Sequence, residues 1–192
     1  MSASSPAPLD LAGLAARLDV LETATAARAC LTRYMRLCDV LDGSCDLDEL
    51  GALFTRDAVW EGRGSRYATA FGRHEGRAAI AAFIGSYQSP TPHFRANAHF
   101  LTSETIEVEG ADRAHGTWLM LQTPTFFDGS SFVMCADLAV DFAREDGRLR
   151  MSRFRTTNLW SRPVGDWNQP SSFPTPAPIA SATATPTSRT DR

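Results

Sequence analysis

The chain has 192 residues, 43% of them hydrophobic and 21% charged, which suits one globular domain with a real core plus tails and would crowd two. All 19 basic residues are arginine, and against 22 acidic residues they leave a formal charge of −3. That balance excludes the broad basic footprint of a nucleic-acid binder, and the lack of lysine excludes Schiff-base chemistry.

Four cysteines, Cys30, Cys38, Cys45 and Cys135, form no CxxC pair, and the histidines are not clustered at ligand spacing. No metal site, zinc included, and no redox dithiol is expected, and the thiols read as the reduced thiols of a cytoplasmic protein. The start MSASSPAPLD has no basic stretch followed by an apolar one, and no apolar run is long enough to span a bilayer. The expectation is a soluble intracellular protein with no membrane partner.

Residues 1–8 are small, polar and proline-bearing, and read as a flexible lead-in to a domain over 9–167. From Leu9 to about Cys38 apolar residues recur at helical spacing (Leu11, Leu14, Leu18, Leu21, then Ala26, Cys30, Tyr34, Leu37). Thr23 to Thr25 should break this stretch into two helices. Asp46 can cap a short helix from Leu47 to Leu53, with Glu49 completing a variant capping box. Ala58 to Glu61 reads as a short strand halted by Gly62 and Gly64, and Arg66 to Phe71 as a loop or hairpin arm. Ile80, Phe83, Ile84 and Tyr87 form one stripe of a lid-like helix over Arg77–Tyr87.

Four strand candidates follow, His93–Glu109, Ala114–Pro124, Ser131–Arg144 and Arg148–Leu159, separated by the turn signals Glu109-Gly110, Asp128-Gly129 and Asp146-Gly147 of an antiparallel meander. In the third, Phe132, Met134, Ala136, Leu138, Val140 and Phe142 share the face that the helices must cover. In the first, Thr102, Glu104, Ile106 and Val108 alternate with Ser103, Thr105, Glu107 and Glu109. Residues 168–192 are rich in Pro, Ser and Thr, and are expected to be a disordered tail or an arm over a neighbouring subunit. The fold class is α+β, a cone-shaped α+β barrel whose curved, mostly antiparallel sheet wraps the N-terminal helices. There is no GxGxxG, P-loop or GxSxG, so nucleotide binding and serine hydrolysis have no support.

His99 is the first candidate for chemistry. It stands near the start of a strand, where rigid backbone can aim it into a pocket, and an imidazole accepts and returns a proton near neutrality. The plainer alternative is a packed or surface histidine.

Three segments carry a family resemblance: RYMRLCDVLDGSCDLDELGALFTRDAVWEG (Arg33–Gly62), GRHEGRAAIAAFI (Gly72–Ile84) and ANAHFLTSETIEVEG (Ala96–Gly110). Over about Ala26 to Trp160 the chain resembles the SnoaL-like branch of the nuclear-transport-factor-like cone fold, which includes scytalone dehydratase, polyketide cyclases and a hexachlorocyclohexane dehydrochlorinase. The resemblance implies that Asp39, at the end of the first long helix, pairs with His99. The carboxylate would fix the ring's tautomer and leave Nε2 free to take a proton. Cys38 stands where scytalone dehydratase has a tyrosine, and its second histidine is missing from the next strand, near Pro124. The polyketide cyclases of this branch use an aspartate as acid and base, which keeps cyclisation and isomerisation open.

Further candidates have plain structural alternatives as core or surface residues. Tyr34 and Tyr67 could hydrogen-bond a substrate oxygen, Arg66 could bind a carboxylate, and Asn97 could steady an oxyanion from the face of His99. Trp60, Phe83, Trp118, Met120 and Met134 could wall an apolar cavity. The reading that results is a cofactor-free lyase or isomerase acting on a hydrophobic, cyclic, polyketide- or steroid-like small molecule, with His99 as base, Asp39 orienting it, and Tyr67 or Asn97 at the oxyanion. The alternative is a non-catalytic small-molecule-binding or scaffold subunit of the same fold. A homodimer or higher homo-oligomer is expected, through an outer sheet face bearing Val133, Cys135 and Ala139.

Overall fold

The computed structural model describes residues 10–88 and 91–165, so the lead-in over 1–8 and the tail over 168–192 lie outside the described residues. The N-terminal stretch forms one helix, α1 (Leu11–Asp39), and not the expected two. Its N-terminus is capped by Asp10, whose carboxylate accepts from the Gly13 amide at 2.7 Å. The threonines that should have broken it are absorbed. Thr25 Oγ1 donates back to Leu21 O at 2.7 Å, and buried Thr23 donates to Ala111 O at 3.3 Å. Hydroxyls that find partners in this way leave the helical backbone intact.

A short helix, α2 (Leu47–Ala52), starts at Asp46, whose side chain accepts from the Glu49 amide as the capping pattern predicts. The strand after it, β1 (Phe54–Arg63), is ten residues long and runs through Gly62. Then comes a helix, α3 (Gly64–Ala70), where a loop or hairpin arm is expected from the sequence. Gly62 makes that helix possible. A Cβ there would stand 2.2 Å from the carbonyl oxygen of Tyr67, so only glycine lets α3 lie against β1. After β2 (Arg73–Glu75), α4 (Arg77–Gly85) carries the stripe with Ile80 and Ile84 buried.

The remaining strands are β3 (Phe94–Ala96), β4 (His99–Glu109), β5 (Arg113–Gln122), β6 (Thr125–Phe126), β7 (Phe132–Glu145) and β8 (Arg148–Pro163). Six of the eight strands form one curved, unclosed sheet in the order β2-β1-β8-β7-β5-β4, while β3 and β6 pair separately. All pairings are antiparallel except β1 with β8. Between β7 and β8, Asp146 and Gly147 both take positive φ (52° and 75°), the requirement of a two-residue turn whose twist matches its strands.

The concave face is the apolar one. Ala136, Leu138, Val140 and Phe142 of β7, Met151 and Phe154 of β8 and Trp60 of β1 are buried together with Leu31, Tyr34 and Met35 of α1. Each such large side chain contributes about 1.5–3 kcal/mol by leaving water. The alternation expected for β4 does not run its whole length. Pairing shifts between Thr102 and Thr105, and Ser103 has φ of 50°. This bulge inserts one residue, so Thr102 turns outward while His99 and Leu101 join Ile106 and Val108 on the inner side.

Gly62→Ala should therefore destabilise the protein by about 1–3 kcal/mol, the usual cost of overpacking, because backbone faces the new methyl group. Urea unfolding measures this, and an unchanged midpoint would show that α3 moves away freely.

Candidate active site

The last residue of α1, Asp39, and the first of β4, His99, meet where the helix end crosses the sheet. One carboxylate oxygen, Asp39 Oδ1, accepts from the His99 backbone amide at 2.9 Å and from His99 Nδ1 at 2.7 Å. A carboxylate can only accept here, so Nδ1 carries a proton, and in the neutral ring the lone pair is on Nε2. A carboxylate at a helix C-terminus faces the negative end of the helix dipole, and these donors offset that repulsion. The two side chains are 9% and 11% exposed, so little water competes for the pair.

His99 lines a cavity of about 290 Å³ between α1, α3, α4 and the concave sheet. The rest of its wall is mainly apolar and aromatic: Tyr34, Trp60, Phe71, Phe83, Met120, Met134 and Phe154. Trp60 stacks on Phe154 with centroids 5.5 Å apart, and its indole N–H donates to Tyr34 Oη at 2.9 Å. Burial pushes the Tyr34 phenol well above the usual tyrosine range. Burial likewise pushes the Cys38 thiol up to about 12, so this cysteine, also on the wall, stays protonated.

Tyr67 reaches the cavity from α3 and accepts from Asn158 Nδ2 at 3.4 Å. Burial raises its phenol too, which keeps the hydroxyl proton available for donation. Arg66 is exposed, does not line the cavity and donates to Asn158 Oδ1 at 3.4 Å. It supports the residue that supports Tyr67.

Asn97 and Trp118 differ from the sequence reading. Asn97 does not line the cavity; its Nδ2 faces Asp39 Oδ1 at 3.5 Å, and its Oδ1 accepts from Gln122 Nε2 at 3.1 Å. It braces the carboxylate. Trp118 is 2% exposed and lies elsewhere in the core, against Phe142, with its indole N–H donating to Glu104 Oε2 at 3.1 Å. It is no part of the cavity wall.

The structure adds residues that the sequence reading missed. Gln122 is the cross-strand partner of His99 and lines the cavity beside it. Its signal in the sequence would have been the register of β4 against β5, which the bulge hides. His93 and Tyr87 also line the cavity, with ring centroids 4.9 Å apart. Among the described residues, no three His, Cys, Asp or Glu side chains gather as a metal-ligand group.

The family model for the SnoaL-like domain matches residues 19–155. The chain belongs to the SnoaL-like family. Among solved structures, a hexachlorocyclohexane dehydrochlorinase from Novosphingobium barchaimii superposes with a TM-score of 0.64 at 18% identity, over 78% of this chain and 94% of that one. An NTF2-like protein with a cystatin-like fold from Novosphingobium aromaticivorans is 28% identical over 78% of this chain and 90% of its own, with a TM-score of 0.62. A candidate scytalone dehydratase from the same organism gives 0.63 at 15% identity, over 76% and 90% of the two chains. No curated protein sequence matches the chain. The SnoaL-like domain thus adopts the expected α+β cone, with His99 at the cavity wall and Asp39 behind it.

Burial lowers the pKa of His93 below its ordinary 6.5. The unfolded chain then binds a proton at pH values where the folded protein does not, so this group's contribution to stability is complete above pH 6.5 and is lost as pH falls through the folded value. We expect His93→Phe, compared with wild type by denaturant unfolding from pH 7.5 to 5, to lose stability less steeply with acid; parallel curves would contradict this.

Proposed function

We propose that this SnoaL-like protein is a cofactor-independent lyase or isomerase whose general base is His99. The observation that carries the reading is the His99 imidazole, held by Asp39 at 2.7 Å through Nδ1, on the wall of an apolar cavity. The names of two structural relatives, a dehydrochlorinase and a dehydratase, describe eliminations, which supports the same class of reaction.

In this mechanism Nε2 removes a proton from carbon next to a carbonyl, or from the position across from a leaving group. Asp39 stabilises the imidazolium that forms. Tyr67, whose hydroxyl stays protonated, donates to the oxygen on which charge develops. The proton is then returned to another carbon, giving isomerisation, or to a departing hydroxyl, giving dehydration. Attack by the carbanion on a second carbonyl carbon of the same molecule breaks that C=O π bond, and return of the proton from His99 to the resulting alkoxide completes a cyclisation. The mainly aromatic wall selects a hydrophobic, ring-bearing substrate of polyketide or steroid type. Asn97, through Asp39, and Gln122, through Asn97, position the base.

Turnover of a panel of hydrophobic cyclic ketones and ring alcohols, measured with solvent deuterium incorporation, tests the reading. His99→Ala should lower kcat by about 10²–10⁴-fold, the usual contribution of a general base. Asp39→Asn should remain folded by circular dichroism and slow turnover by at least on the order of 10²-fold, because an amide does not stabilise the imidazolium. A folded His99→Ala protein with near-wild-type turnover would make the domain a binding module.

A further inference from the structure

The N-terminal third of α1 leaves the domain. The buried positions of α1 begin at Thr23, whereas Leu11, Leu14, Leu18 and Leu21 are 87%, 47%, 54% and 65% exposed. Their spacing alternates three and four residues, the repeat of a two-stranded coiled-coil seam. At about 100° per residue this seam points roughly opposite to the stripe of Ala27, Cys30 and Tyr34 that docks on the sheet. The domain's own core cannot cover it. Most of the seam also precedes residue 19, where the family match begins.

We propose that residues 11–22 of two copies of this chain pair in parallel as a short coiled coil. With Leu11 and Leu18 as a positions and Leu14 and Leu21 as d positions, Arg17 falls at g and Glu22 at e of the next heptad. In a parallel pair Arg17 of each copy faces Glu22 of the partner subunit, giving two opposite-charge contacts. An antiparallel pair would oppose arginine to arginine and glutamate to glutamate. The parallel arrangement is also sterically open, because each domain hangs on the side of its helix away from the seam. An anionic lipid surface fits worse, since Asp10, Asp19 and Glu22 outnumber Arg17 along the segment. The contact is separate from the outer sheet face, which carries polar pairs such as Arg155 with Asp141 at 2.6 Å.

Sedimentation of the full chain tests the pairing. Wild type should be a dimer, and the double variant Leu14→Glu/Leu18→Glu a monomer with unchanged circular dichroism apart from the exposed segment. Arg17→Glu should weaken the dimer by roughly tenfold, and adding Glu22→Arg to it should restore wild-type affinity. Leu21→Cys should form a disulfide-linked dimer under mild oxidation, which only the parallel register permits. A monomeric wild type, an oligomer indifferent to Leu14→Glu/Leu18→Glu, or a charge reversal not rescued by the swap would overturn the proposal; binding of the monomer to anionic vesicles would reassign the seam to lipid.

Discussion

Everything at the site depends on how the C-terminal half of α1 lies in the concave sheet. That contact is apolar for most of its length, with Leu31, Tyr34 and Met35 in the core and the Tyr34 ring against Phe54 of β1 and Phe154 of β8, and it is pinned by the hydrogen bond from Trp60 to Tyr34. A buried indole N–H left without its partner would cost about 1–3 kcal/mol, so the bond constrains where along β1 the helix can rest. Once Tyr34 is placed, the helix geometry places Asp39 little more than a turn further on. The carboxylate arrives at the sheet edge as a consequence of core packing.

The other half of the dyad depends on a local irregularity. Strict alternation counted back from Val108 and Ile106 would send His99 to the outer side of β4. The extra residue at Ser103, held at positive φ, reverses that parity and brings His99 and Leu101 inward. The unfavourable backbone of one serine is thus coupled to the orientation of the imidazole. Glu104, just beyond the bulge, is held in place by Arg28 and by the Trp118 indole, so the irregular stretch is anchored at its far side to α1 and β5.

These two features explain what could be read in advance. The helical stretches of α1, α2 and α4, the meander and its turns are legible because each has a local signature: apolar spacing, the Asp46 cap, the Asp146-Gly147 turn. The pairing of Asp39 with His99 could be reached only through family resemblance, since sixty residues separate them and periodicity carries no distance. The helix around Tyr67 was missed because GSRYATA has no apolar stripe, and what holds it is the empty space at Gly62. Asn97 falls outside the cavity because a two-residue count back from His99 crosses the break between β3 and β4, and Gln122 has no signal in the sequence without the register of β4 against β5. Trp118 shares one side of β5 with Met120 and Gln122, but only the latter two reach the cavity, while Trp118 packs into the core against Phe142.

The distribution of constraint across the cavity follows. His99, Asp39 and their neighbours Asn97 and Gln122 sit on α1, on the long strands β4 and β5, and in the segment immediately before β4, all tied into the sheet and its core. Tyr67, Phe71, Phe83, Tyr87 and His93 sit on α3, α4 and the segments around them, with helices of nine residues or fewer. Substitution among them changes the shape and polarity of the cavity at small cost to the fold, whereas substitution around Asp39 and His99 disturbs the core that sets their distance. A domain built this way can keep the Asp39–His99 pair while the cavity wall around it varies, because the pair is anchored to the part of the molecule that packing holds most firmly.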